Sequence, residues 1–179
     1  MIDKECIGRI RKVSGYSLVE VMITIAIIGV VAAIAIPSFK GLMPKLRLNN
    51  DTMILSNEVS LSRVRAIAKS VRFKVKFNTA SNSYALQREI IPTLPALPYF
   101  STITTNNMSG SKFVSVTGFT DADEVIADTN GAMSVSFGGK GYITVKTPDG
   151  SIQKRVVVEP VGRVTVERSF DGGTSWQVE

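Results

Sequence analysis

The chain reads as an α+β protein. A long amino-terminal helix, membrane-spanning in its first half and amphipathic in its second, is expected to pack on a carboxy-terminal antiparallel β-sheet or small β-sandwich. Three observations predict this. Residues 16–36 form an apolar run in which Glu20 is the one ionisable side chain apart from the tyrosine that opens it. Residues 46–70 then show helical spacing. From residue 71 onward the period drops to two, and turn residues punctuate short β-branched and aromatic segments.

The apolar run is rich in Ile, Val and Ala on every face. At ~1.5 Å rise per residue it makes a helix of about 30 Å, the thickness of a bilayer core. A helix apolar all round is embedded in lipid or buried in a larger assembly. Glu20 is the anomaly. A carboxylate costs roughly 2.5–3.5 kcal/mol at the bilayer centre and less near the interface. It therefore calls for a partner, or for a position shallow enough to reach water. The preceding residues carry Lys4, Arg9, Arg11 and Lys12 against Asp3 and Glu5, and Lys40, Lys45 and Arg47 follow the run. The positive-inside bias between the two ends is therefore slight. The run ends at Ile36-Pro37-Ser38 without a small-residue cleavage site, so the helix is expected to be retained.

Gly15-Tyr16-Ser17-Leu18-Val19-Glu20, the long apolar helix and Pro37 together resemble the amino-terminal signal of type IV prepilins and type II secretion pseudopilins. The resemblance implies that residues 1–15 are a leader removed by a prepilin peptidase between Gly15 and Tyr16, with methylation of the new amino terminus. It implies that residues 16–37 form the transmembrane and filament-core helix, and that residues 38–179 form a periplasmic head. Glu20 matches the family glutamate that meets the amino terminus of a neighbouring subunit, and Pro37 the proline that kinks the helix. Tyr16 stands where phenylalanine is usual and keeps the aromatic ring. The implied partners are other pilin or pseudopilin subunits, the prepilin peptidase and the inner-membrane assembly platform. Membrane lipid surrounds the helix before extraction, and a separate cytoplasmic ATPase powers assembly. The implied setting is the bacterial inner membrane and, after assembly, the pilus or pseudopilus.

Beyond the span, Pro37, Gly41 and Pro44 predict a kink or melted turn between residues 36 and 46. Ile54, Leu61, Val64, Ala68 and Val71 then recur on one helical face, expected to pack on the chain's own domain. Val71, Phe73, Val75 and Phe77 alternate with Arg72, Lys74 and Lys76, a half-buried strand. Tyr84-Ala85-Leu86-Gln87-Arg88 reads as its return. Residues 90–99 hold Pro92, Pro95 and Pro98 and read as a loop. Further strands are expected over residues 113–117, 132–137, 142–146, 154–158 and 164–167. Thr147-Pro148-Asp149-Gly150 makes residues 142–158 a hairpin. Residues 46–179 suffice for one core.

Catalysis is not expected. The chain has no histidine, and its single cysteine, Cys6, lies in the leader, which leaves no ordinary nucleophilic triad and no disulfide. No cofactor or metal is expected. Asp121, Asp123, Glu124 and Asp128 lack the spacing of a calcium loop and read as a solvated acidic loop. Gly138-Gly139-Lys140-Gly141 reads as a hairpin turn, not a phosphate loop. Ser169-Phe170-Asp171-Gly172-Gly173-Thr174-Ser175-Trp176 is similar to an Asp-box. As a single copy, it is expected to be a hairpin turn in which Asp171 bonds local N–H groups above Trp176.

The late segments Asn130-Gly131, Phe137, Gly141-Tyr142-Ile143-Thr144-Val145 and Val161-Gly162-Arg163-Val164 resemble the FimT and GspH group of minor pilins and pseudopilins. That resemblance implies filament assembly and protein secretion, with DNA uptake in natural transformation as the alternative. DNA-binding members are similar in carrying Gly-Arg-x-Arg. Here Gly162 and Arg163 match, but Thr165 holds the second arginine position. The net charge of +6 is concentrated in residues 40–76, whereas residues 77–179 are slightly acidic. Candidate DNA contacts are Arg163, Arg168, Arg72, Lys74 and Lys76. Binding is expected to be weak, and to depend more on Arg72, Lys74 and Lys76 than on Arg163.

Overall fold

The computed structural model describes residues 15–92, 97–136 and 139–179, without the side chains at positions 37, 38 and 40. The leader with Cys6, the middle of the proline-rich loop with Pro95, and Phe137 and Gly138 lie outside the described residues. The chain divides into two units, Met1–Lys40 and Gly41–Glu179.

One helix, α1, runs Leu18–Lys69. Its first part, Leu18–Ile36, has a mean hydropathy of 2.7 and none of it is buried. The melted turn expected between residues 36 and 46 does not form: helical backbone continues through Pro37, Gly41 and Pro44. Each proline removes a single N–H, and the turns on either side keep their own bonds. The helix ends where Ser70 takes a left-handed conformation at φ 50° and its N–H reaches the Ile67 carbonyl.

Within the second unit, the inward face of α1 is Leu48, Thr52, Leu55, Val59, Ser62 and Ala66, all buried, with Asp51 beside them. This corrects the expected stripe. Ile54, Leu61, Val64 and Ala68 are exposed, roughly opposite the buried set at ~100° per residue. Thr52 and Ser62 can lie inward because their hydroxyls bond back to the carbonyls of Leu48 and Val59.

Two antiparallel sheets complete the unit. The first comprises β1 (Phe73–Asn78), β2 (Ser83–Ile90), β3 (Tyr99–Asn107) and β5 (Glu124–Ala127), ordered β3-β2-β1-β5. The second comprises β4 (Lys112–Thr117), β6 (Gly141–Lys146), β7 (Gln153–Val158), β8 (Val164–Ser169) and β9 (Gln177–Val178), ordered β4-β6-β7-β8-β9. Phe73, Val75 and Phe77 are buried, as the period of two requires. They share one core with Leu48, Leu55 and Val59 of α1 and with Ile143, Val145, Val156 and Val158 of the second sheet. The hairpin over residues 142–158 forms, with Ile143 opposite Val156.

Three further expectations are corrected. Residues 132–137 form no strand among the described residues; Met133 and Val135 make isolated bridges to Ala127 and Phe119. Asp121, Asp123, Glu124 and Asp128 are not a uniform solvated loop, because Glu124 opens β5 and pairs beside β1. The strands β3 and β9 fall where the sequence pattern predicts none.

The buried Asp51 carboxylate holds the β3–β4 connection to the helix. It accepts from the backbone N–H groups of Gly110 and Ser111 at 3.2 and 3.1 Å, and from the hydroxyls of Ser109 and Ser111 at 3.0 and 2.7 Å. Several donors on one carboxylate compensate its desolvation.

Candidate functional site

The amino-terminal region positions the residues expected to be processed. Gly15 is exposed, and a Cβ built on it would meet nothing within 4 Å. The described fold therefore does not require glycine there. Tyr16 is also exposed. The Ser17 carbonyl accepts the N–H of Val21 at 3.2 Å, which starts the helical ladder and puts Ser17 at the cap. Glu20 follows at the third helical position. Its side chain is exposed and makes none of the described ion pairs. The polar Thr24, one turn on, is satisfied within the helix by the carbonyls of Glu20 and Val21 at 2.8 Å each.

The candidate DNA contacts are dispersed and mostly engaged. Arg72 forms a two-pronged ion pair with buried Glu89. Its bond holds the Glu89 carboxyl below the usual carboxylate range and raises the guanidinium. Lys74 and Lys76 flank Glu124 at 3.0 and 3.1 Å. Burial pushes the Glu124 carboxyl up, but the bonds and charges of the two lysines outweigh this and leave it lowered. Lys74 also lies 4.4 Å from the Phe100 ring centre. Arg168 stacks on Phe170. Arg163 is exposed at the β7–β8 turn and makes none of the described ion pairs.

Gly162, the other half of that Gly-Arg match, has a packing explanation. Its φ is 85°, and a Cβ there would lie 2.2 Å from Nε of Arg63. Arg63 passes close to this turn and donates to the Gly131 carbonyl at 2.8 Å. The Asp-box-like segment is the expected hairpin turn. Asp171 accepts from the Ser169 hydroxyl and from the N–H groups of Thr174 and Ser175, which holds its carboxyl well below the usual range. The Trp176 ring covers Arg155 at 4.2 Å while its N–H donates to the Gly173 carbonyl. The described residues contain no group of three or more acidic, histidine or cysteine side chains that could hold a metal ion.

Residues 10–36 match the family described as the prokaryotic N-terminal methylation motif. No curated protein matches the chain. Among solved structures, the minor pseudopilin EpsH from the type 2 secretion system of Vibrio cholerae is similar with a TM-score of 0.53. The identity is 9%, and the match covers 67% of this chain and 95% of that one. At that identity the likeness is one of fold alone. The two findings are a motif match confined to residues 10–36 and a likeness of fold.

Proposed function

We propose that the chain is a minor pilin or pseudopilin of the FimT/GspH type, a structural subunit whose work is filament assembly rather than catalysis. The leader is cut after Gly15. The helix holds the protein in the inner membrane with its head in the periplasm, then joins a filament through neighbouring subunits. The observation that carries this reading is the apolar surface α1 leaves uncovered. Leu18–Ile36 is wholly unburied. Within the head, Met53, Ile54, Leu61 and Val64 form a second exposed apolar stripe on the face turned away from the core. Continuous apolar area of this kind marks a surface buried elsewhere, first in lipid and then among subunits.

Mass spectrometry of the membrane-extracted protein tests the reading. The expected amino terminus is methylated Tyr16. Gly15→Val is expected to keep the leader and to block incorporation, since Gly15 is unconstrained by its own fold and open to an enzyme. An unmodified start at another residue in the wild type would remove the assignment. DNA uptake is the second reading, and the observation favouring it is Arg163, exposed and in no ion pair among the described residues.

A further inference from the structure

The head carries a second feature, apart from the exposed stripe of α1. Lys154 on β7 and Arg168 on β8 stand directly opposite each other in the antiparallel ladder, where like charges repel. Lys154 is 4% exposed. Its ammonium donates to Asn49 Oδ1 at 2.7 Å and to Glu179. Arg168 reaches the same Glu179 carboxylate at 3.6 Å. One carboxylate thus serves two cations. The Nε of Arg168 is buried with no hydrogen-bond partner among the described residues. Both side chains line a cavity of about 310 Å³ together with Lys45 and Asn49, over an apolar wall that includes Leu46 and Ile152. The cavity has three cations and no acid in its lining.

We propose that this cavity binds a phosphate group, with a membrane lipid headgroup as its source. Excess positive charge and the amide hydrogens of Asn49 suit a multiply charged oxyanion. The source follows from chain connectivity. Lys45 comes nine residues after Ile36, so even a fully extended chain keeps it within roughly 32 Å of the end of the span. Attraction to anionic headgroups falls off within a Debye length of roughly 8 Å, and the short tether lets Lys45 come within that range. The lipid source rests on the membrane-held reading above, whereas the phosphate site itself does not.

The test uses the full chain and its single tryptophan, Trp176, to follow thermal unfolding of the head. In nanodiscs containing phosphatidylglycerol, the melting temperature is expected to rise by about 3 °C or more over discs of phosphatidylcholine alone. The double variant Lys45→Gln/Arg168→Gln should lose that rise, and Lys69→Gln, outside the cavity, should keep it. Glu179→Gln, which removes the competing carboxylate, should enlarge it. A second arm titrates inorganic phosphate into detergent-solubilised protein at constant ionic strength. A rise there without a lipid effect overturns the lipid source and leaves a soluble phosphate ligand. No rise in either arm, or a rise that the double variant retains, overturns the site. Processing at Gly15 is read separately by mass spectrometry, so failure of the phosphate site is distinguishable from failure of the subunit assignment.

Discussion

Glu20 poses a question of magnitude. At the third position of α1 its carboxylate lies near the positive end of the helix, a placement that contributes about 0.3–1 kcal/mol. The desolvation it suffers in an apolar assembly is several times larger unless a cation meets it. Local capping is therefore too small to account for an ionised residue in this stretch. An α-amino group ordinarily titrates around pH 8 and remains largely protonated at neutral pH, so the cleaved terminus of a neighbour is a suitable partner. Two substitutions separate the explanations. Glu20→Ala is expected to be cleaved and inserted normally but to enter filaments poorly, and Glu20→Gln should behave the same way, because it keeps a polar cap but loses the charge. Incorporation of the glutamine variant at the wild-type level, scored by immunoblotting of sheared filaments, would assign Glu20 to the cap instead.

At the scale of elements, α1 presents two different faces. Leu55 is fully buried in the core and Leu61 is exposed on the opposite side. Leu55→Ala is expected to destabilise the head by about 2–5 kcal/mol. Leu61→Ala should change stability by less than about 0.5 kcal/mol but reduce incorporation into filaments. Calorimetry of the solubilised chain and the filament assay read the two effects separately, and equal losses of stability would contradict the assignment of faces. These faces also show where the sequence was legible. Helical spacing identified the element, but both faces carry an apolar repeat. The outer one, with Ile54, Leu61 and Val64, is the more conspicuous because the inner one is diluted by Asp51, Thr52 and Ser62. Those polar residues become intelligible only with their partners, the Ser109–Ser111 turn and the helix's own carbonyls. The strand β1 was plain because its alternation is strict. By contrast, β3 is largely exposed and lacks an apolar alternation, and β5 begins on an acidic residue whose place is set by Lys74 and Lys76 on its neighbour. The proposed processing residues form one linear segment, so the match over residues 10–36 rests on local sequence alone.

For the whole molecule, the question is whether the surplus of positive charge is available to a polyanion. The basic residues concentrated between positions 40 and 76 make the stem look like a nucleic-acid track. In the folded head, however, Arg72 is committed to Glu89, and Lys74 and Lys76 share Glu124. Recruiting these cations to phosphates would strand carboxylates that are buried or nearly so, which costs more than an exposed contact returns. The ranking expected from sequence therefore reverses: exposed Arg163 should carry the larger share of any DNA contact, although Gly162 beside it is already explained by packing against Arg63. Each phosphate contact adds about −0.9 to the slope of log affinity against log salt. Of the candidate contacts, Arg163 alone makes none of the ion pairs among the described residues, so their contribution to binding duplex DNA is expected to be weak, with a slope of roughly −1 to −2. Arg163→Ala should make that slope shallower by about 1. Reversing Arg72, Lys74 and Lys76 together should instead lower the melting temperature of the head. Fluorescence anisotropy at several salt concentrations, run beside thermal melts of the same variants, distinguishes these effects. Tight binding at physiological salt that Arg163→Ala abolishes would make DNA uptake the primary function, and a steep slope removed by the triple reversal without loss of stability would restore the stem as the binding track.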